Sequence, residues 1–242
     1  MIFRGTDPPP EPERPKRVLV FGDSNSWGWV PRATFIPTER FPPGEQWPRV
    51  MAAELGAGYE VVVDALPGRT TDAADPLVFQ IPGAGLDGNA YLPAALGAHM
   101  PLDLVVLMLG ANDLKPQFGR SAFRIALGAG MLIDTVQNSG KLFGTLWLSY
   151  PAPKVLLVCP PPLGELAQEV GDLFAGWEDR AQGLPVAFRH VAAAAGVGFL
   201  DAGEIVRCDG RDGVHLTGES QRRLGRAVAE RVRAVLERAG AG

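Results

Sequence analysis

The chain has 242 residues, of which 46% are apolar and 21% charged, an ordinary composition for a globular protein that can bury a large core. Its formal net charge is −4, so it lacks the basic excess that attracts nucleic acids and anionic membranes. No apolar run approaches the ~18 residues that a membrane-spanning helix needs. We therefore expect neither a nucleic acid nor a membrane as a partner.

The N-terminal segment is rich in proline and charge and has no apolar stretch of the kind that a secretory signal carries. We interpret residues 1–15 as a flexible tail and residues 16–242 as one domain, because no linker or repeat divides the remainder. The two cysteines, Cys159 and Cys208, lie far apart in the sequence. They are typical of free thiols in a cytoplasmic protein.

Five short apolar runs, each bounded by turn residues, predict the strands. They are almost continuously apolar rather than alternating, as in parallel strands that are covered on both faces. Helical patterns lie between the runs and after the last one, which predicts a three-layer α/β/α sandwich. The predicted strands are Arg17–Phe21, Tyr59–Ala65, Asp103–Leu109, Lys154–Cys159 and Gly198–Asp201; the predicted helices span 45–55, 90–98, 121–138, 178–195 and 218–239.

Three stretches exceed this minimal core. Segments 72–89 and 160–183 are long loops, and loops of this length are typical of lids, binding walls or interfaces. The apolar insert Leu142–Tyr150 connects a helix to the fourth strand, so Phe143, Trp147 and Tyr150 are expected at the end of the sheet opposite the carboxyl ends of the strands. A subunit contact and a local extension of the core both explain such an insert.

Four short motifs lie at places where parallel sheets usually carry their functional residues. Gly22-Asp23-Ser24 follows the first strand, Gly68 the second, and Gly110-Ala111-Asn112-Asp113 the third, while Asp212-Gly213-Val214-His215 lies beyond the fifth. Open α/β sheets bind ligands at the carboxyl ends of their strands. We therefore expect the motifs to share one rim of the sheet.

The residue types in these motifs point to acyl transfer. A serine hydroxyl such as that of Ser24 is a weak nucleophile and needs an adjacent base. His215 is the candidate base, and Asp212, three residues earlier, is the candidate group that orients the imidazole. The backbone N–H groups of Ser24 and Gly68 and the side-chain amide of Asn112 are candidate donors to the oxyanion of a tetrahedral intermediate.

These motifs resemble the four blocks of the SGNH (GDSL-type) hydrolase family, from Arg17 to the last helix. The run Phe21–Pro31 (FGDSNSWGWVP) is similar to the arylesterase and acyltransferase branch of that family, as are the segments at 65–71, 91–93 and 151–162. One position departs from the pattern, since Asn25 stands where the family name expects leucine. We expect Asn25 to affect the packing of the nucleophile loop rather than the chemistry.

The resemblance implies a flavodoxin-like parallel sheet of order 2-1-3-4-5, the SGNH hydrolase fold, with Ser24, Asp212 and His215 as a catalytic triad. It also implies a serine esterase that needs no metal or cofactor, acts on small carboxylic esters and forms homo-oligomers. Water is then the acyl acceptor, and alcohols or hydrogen peroxide are further candidates.

Two other functions stay open at this point. A carbohydrate-ester deacetylase would use the same site. A noncatalytic flavodoxin-like binding protein would use residues 22–28 to hold a phosphate, but this loop lacks the glycine patterns of dinucleotide and nucleoside triphosphate sites.

Several further residues have two interpretations. Trp27, Trp29, Phe174 and Trp177 are candidate walls for the substrate, because binding pockets are lined mainly by apolar and aromatic groups, but core packing explains them equally well. Asp23 and Asp113 are expected to brace loops through backbone hydrogen bonds. The three scattered histidines have no spacing typical of a metal site.

Overall fold

The computed structural model describes residues 14–34, 39–77, 83–140 and 150–237. Its strands form one parallel sheet in the order β2-β1-β3-β4-β5, as expected from the resemblance. The strands are β1 (Lys16–Gly22), β2 (Tyr59–Ala65), β3 (Leu104–Met108), β4 (Lys154–Cys159) and β5 (Gly198–Asp201). The helices are α1 (Ser24–Trp27), α2 (Trp47–Leu55), α3 (Gly88–His99), α4 (Ala122–Gln137), α5 (Gln168–Gly171), α6 (Trp177–Ala181), α7 (Leu184–Ala194) and α8 (Gly218–Glu237).

The strands form because their side chains are apolar on both faces of the sheet. All five residues of β3 are buried, and so are the central residues of β1, Val18–Phe21. Helices α2 and α8 pack together on one face, while α4 packs with α3 and α7 on the other. The three-layer α/β/α sandwich is thus confirmed.

Helix α8 shows how the sequence pattern fixes an element. Its apolar residues Leu224, Val228 and Val232 recur at four-residue spacing and are buried, while arginine and glutamate occupy much of the rest of its surface. The hydroxyl of Thr217 accepts a hydrogen bond from the Ser220 N–H at 3.3 Å, which caps the first turn as expected.

The single helix predicted over residues 178–195 is wrong. The structure has α6 and α7 there, separated by Gln182 and Gly183. Gly183 has a left-handed backbone with φ of 78°, which ends helical geometry. Pro185 lies in the first turn of α7, where a missing N–H costs little, and would have disrupted the middle of one long helix.

Some predicted features fall outside the described residues, among them the tail at 1–13, Phe143 and Trp147. Tyr150 is described, and it borders a pocket with Asp103 and Lys154 at the amino ends of β3 and β4. This is the end of the sheet expected for it. Within the described ranges, no helix has the length and apolar character to cross a membrane.

The turn between β1 and α1 carries a buried carboxylate. Asp23 caps α1, because its side chain accepts the Asn25 N–H at 3.0 Å, and only 2% of the residue is exposed. Burial raises the pKa of Asp23 from 3.8 to about 7, and the nearby Asp113 carboxylate adds to the shift. The folded protein therefore prefers the protonated form and loses stability as the pH rises from 3.8 to about 7.

We expect Asp23→Asn to stabilise the protein more at pH 8 than at pH 5. Asparagine keeps an oxygen for the Asn25 N–H and carries no charge to desolvate. The gain in unfolding free energy of the variant over the wild type should be larger at pH 8 than at pH 5 by on the order of 1–3 kcal/mol. Chemical denaturation of both proteins at both pH values measures this gain.

Asp209→Asn is the control. Hydrogen bonds from Thr217 and Ser220 hold the pKa of Asp209 below its usual value in spite of partial burial. Its stabilising effect is lost only below about pH 4, so Asp209→Asn should destabilise the protein by similar amounts at pH 5 and pH 8. An Asp23→Asn variant that behaved in this way would contradict the raised pKa.

Candidate active site

Strand register brings the first three motifs together. Gly22, near the end of β1, pairs with Ala65 at the end of β2 and with Met108 at the end of β3. Ser24, Gly68 and Asn112 each follow one of these paired residues within a few positions. They therefore emerge from three adjacent strands at one rim, as the sequence predicted.

The fourth motif reaches the same rim from the C-terminal part of the chain. His215 Nε2 lies 2.9 Å from Ser24 Oγ, and His215 Nδ1 lies 2.8 Å from Asp212 Oδ2. All three residues are buried, with Ser24 the most accessible at 6% exposure. The hydroxyl, the imidazole and the carboxylate thus form one continuous hydrogen-bonded chain.

Asp212 is held ionised inside the protein. Its Oδ1 accepts the backbone N–H groups of Val214 and His215, each at 2.9 Å, and its Oδ2 contacts the imidazole. Burial alone would raise the pKa of Asp212, but these hydrogen bonds and the electrostatic interaction with His215 outweigh it and lower the pKa. A permanent carboxylate can orient the imidazole and stabilise its protonated form.

The candidate oxyanion donors lie on the segments that follow β1, β2 and β3. Within the described residues, the backbone N–H groups of Ser24 and Gly68 donate no hydrogen bond to the protein. One amide hydrogen of Asn112 points to the Arg69 carbonyl at 3.1 Å, which orients the side chain and leaves the second hydrogen available. Gly68 has φ of 88°, and this left-handed backbone favours glycine there.

Arg69 links the loops that carry these donors, and sequence reasoning missed it. Its guanidinium donates to the carbonyls of Gly22 and Asp64 at 3.2 and 2.8 Å and pairs with the Asp64 carboxylate at 2.9 Å. The group also lies against the rings of Phe21 and Tyr91, at 4.1 and 5.1 Å from their centroids. The available signal in the sequence was an arginine directly after Gly68, within the segment 65–71 that resembles the family.

Asp113 braces the same loops from the β3 side. Its buried carboxylate accepts hydrogen bonds from the Thr71 N–H at 3.0 Å and hydroxyl at 2.6 Å, and it pairs with Arg120 at 2.9 Å. These contacts tie the segment after β2 to the segment that carries Asn112. Asp113 and Asp23 thus have the bracing contacts that were expected of them.

The aromatic candidates occupy different environments. Trp29 stacks on His215, with ring centroids 5.0 Å apart and planes 11° apart, and Trp27 contacts Trp29 at 6.3 Å. Phe174 is 2% exposed and belongs to the hydrophobic core, against which the half-buried Trp177 packs. Trp29 therefore lies at the triad, whereas the contacts of Phe174 and Trp177 are those of core residues.

Asn25 has a larger structural role than expected. Its side-chain amide donates to the Val214 carbonyl at 3.2 Å and accepts the Leu216 N–H at 3.0 Å. These two backbone groups flank His215. The departure from the family pattern at position 25 was the signal for this contact, but the sequence did not show its partners.

Both cysteines are buried, and burial raises the pKa of each thiol well above its usual value. Such thiols are weak nucleophiles at neutral pH. Across the described parts of the chain, no group of three or more histidine, cysteine, aspartate or glutamate side chains is placed to hold a metal ion.

Comparisons with known proteins identify the family of the chain. A model of the GDSL-like lipase/acylhydrolase family matches residues 20–223. The native structure of an aryl esterase from M. smegmatis is 44% identical, with a TM-score of 0.84 over 91% of this chain and 99% of that one. A carbohydrate acetylesterase from Sinorhizobium meliloti is 40% identical, with a TM-score of 0.84 over 90% and 99%. A comparison with curated proteins gives no match.

The family match covers most of the chain, including the loops that carry Ser24 and His215. It sets aside the noncatalytic binding protein considered from the sequence. The chain belongs to the GDSL-like lipase/acylhydrolase family and is a serine esterase that hydrolyses carboxylic esters.

Proposed function

We propose that Ser24, His215 and Asp212 form the catalytic triad and that the enzyme works through an acyl-enzyme on Ser24. The observation that carries the proposal is the unbroken chain of hydrogen bonds from the Ser24 hydroxyl through His215 to Asp212. An imidazole so placed can remove the hydroxyl proton as the oxygen attacks an ester carbonyl.

In the first half-reaction, Ser24 Oγ bonds to the carbonyl carbon and its proton moves to His215 Nε2. The backbone N–H groups of Ser24 and Gly68 and the Asn112 amide donate to the oxyanion. The tetrahedral intermediate then collapses, the ester C–O bond breaks, and His215 returns the proton to the departing alcohol. In the second half-reaction, His215 takes a proton from water as the water oxygen bonds to the acyl carbon. The bond from that carbon to Ser24 Oγ then breaks, His215 returns the proton to Ser24 Oγ, and the acid is released.

Trp29 supports this chemistry from the side of the imidazole. Its indole face covers the ring of His215, and an aromatic face attracts a cation. It therefore favours the imidazolium that forms in each half-reaction. The same residue, with Trp27, is the proposed apolar wall for the substrate.

Small carboxylic esters are the proposed substrates, with aryl esters foremost. Similarity to the M. smegmatis aryl esterase supports this choice, as do the aromatic surfaces of Trp27 and Trp29 beside the triad. Carbohydrate acetyl esters are the second candidate, supported by the similarity to the acetylesterase from Sinorhizobium meliloti.

Acyl transfer to alcohols or hydrogen peroxide, a homo-oligomeric state and a cytoplasmic location are further proposals. An exposed apolar stripe on α4, formed by Phe123, Leu127 and Met131, supports contact between copies of the chain. The half-buried tryptophans beside the triad support a site with restricted water, which favours acceptors other than water.

Ser24→Ala should lower kcat by at least ~10³-fold, because it removes the nucleophile. An organophosphonate should label the wild type at Ser24 with one adduct per chain, detected by mass spectrometry. Ser26→Ala is the matched control: Ser26 lies in the same short helix, and its buried hydroxyl has no hydrogen-bond partner within the described structure. Ser26→Ala should keep both labelling and activity; an active Ser24→Ala variant would overturn the triad.

Asn112→Ala should lower kcat by ~10²–10³-fold with a small change in KM, since the amide acts mainly on the oxyanion that forms in the transition state. Steady-state kinetics on an aryl ester measures both constants. Asn138→Ala, the same change at the C-terminal end of α4, should leave them unaltered. Equal kcat and KM values of the two variants would show that the Asn112 amide does not stabilise the oxyanion.

A substrate panel separates the two ester classes. We expect p-nitrophenyl esters with short acyl chains to give higher kcat/KM than acetylated monosaccharides or acetylated xylan, with product acid measured by titration. Adding an alcohol to the same assays measures ester against acid as product. A preference for the sugar esters would instead favour the carbohydrate acetylesterase.

A further inference from the structure

The side chain of Asn25 joins the two halves of the site. It is 3% exposed and lies next to Ser24, yet its amide pairs with the Val214 carbonyl and the Leu216 N–H, on either side of His215. The two loops are far apart in sequence. Asn25 therefore forms a hydrogen-bonded bridge, the Asn25 bridge, between the loop that carries Ser24 and the loop that carries His215.

The proposed reaction requires a link between the two loops that persists when Ser24 is acylated. In the resting enzyme, the Ser24–His215 hydrogen bond also joins the loops, at 2.9 Å. Once Ser24 Oγ carries the acyl group, its proton is gone and His215 Nε2 must face water instead. The direct link is thus absent during the second half-reaction, whereas both hydrogen bonds of Asn25 can persist.

We propose that Asn25 is a positioning residue that holds His215 in place at the acyl-enzyme stage, an inference that rests on the proposed function of Ser24. Its effect falls mainly on deacylation. In acylation, the Ser24–His215 hydrogen bond itself aligns the two groups.

Hydrogen bonds also hold the backbone of Asn25 in place. The Asn25 N–H donates to Asp23 at 3.0 Å, and the Asn25 carbonyl accepts Gln221 Nε2 at 3.0 Å. Gln221 lies on α8, and its Oε1 accepts the Trp47 N–H at the start of α2 at 2.9 Å. Gln221 thus ties Asn25 to α8 and, through its own contact with Trp47, α8 to α2.

Asparagine suits this position because a planar amide presents a donor and an acceptor side by side, as a strand backbone does. Leucine has a similar size but would leave the Val214 carbonyl and the Leu216 N–H without partners. A change of Asn25 to leucine therefore removes both hydrogen bonds of the Asn25 bridge with little change in side-chain volume.

Asn25→Leu is compared with Asn89→Leu, the same substitution at a remote position, as the matched control. Asn89 lies in the first turn of α3, its side-chain oxygen accepts the Thr135 hydroxyl of α4 at 3.1 Å, and its described hydrogen bonds involve neither His215 nor the two neighbours of His215. Acylation is measured as p-nitrophenolate release under enzyme excess, and deacylation as the lifetime of the acyl-enzyme by quenched-flow mass spectrometry. Rates are expressed per Ser24 that reacts with an organophosphonate, so a partly folded sample does not distort them, and Asn25→Ala serves as a second variant.

Asn25→Leu and Asn25→Ala should slow deacylation by ~10–100-fold, several times more than acylation, as expected for a general base that is displaced by a fraction of an ångström. Asn89→Leu should lose thermal stability and keep both rates within about 2-fold. Equal slowing of both steps in the Asn25 variants, or a deacylation rate equal to that of Asn89→Leu, would overturn the inference. A wild type that forms no acyl-enzyme on Ser24 would overturn the proposed function itself.

Discussion

Parallel pairing of β1 with β2 on one side and β3 on the other places Gly22, Ala65 and Met108 side by side. The chain leaves each strand at the same rim, so Ser24 and Asn112 follow neighbouring strand ends although they are 88 positions apart in the sequence. The pairing is stable because β1 and β3 are apolar and largely buried between two layers of helices, while the edge strand β2 is partly buried. The placement of the site residues therefore depends on the packing of apolar side chains that take no part in the proposed reaction.

Around that core the protein buries several charges, and the cost of each is met differently. Asp212 and Arg69 are paired and hydrogen-bonded by several groups, which offsets the loss of hydration. Asp23 has fewer compensating contacts, and its raised pKa records the cost. In the proposed mechanism, the exclusion of water also strengthens the hydrogen bonds from the candidate donors to a developing oxyanion. Burial would then favour catalysis as well as costing free energy of folding.

The similarity to an aryl esterase and to a carbohydrate acetylesterase has a structural reason. In the proposed function, strand ends and the two hydrogen-bonded loops determine the reaction class, because they hold the proposed nucleophile, base and oxyanion donors. The choice of ester then depends on the surrounding walls, for which the segment that contains Trp27 and Trp29 is the candidate. Loops vary without disturbing the sheet, so one scaffold can serve several esters.

The sequence by itself determined the strands and the candidate triad, because apolar runs and short motifs are local patterns, whereas the sheet order was expected only from the resemblance to the SGNH family. It failed at Gly183, where a left-handed glycine outweighs helical periodicity. Only the tertiary structure decided the roles of Asn25, Arg69 and Trp29. Asn25 and Trp29 contact the His215 loop, and Arg69 contacts Gly22, across long separations in sequence. Such contacts arise when packing brings distant loops together, and no local spacing records them.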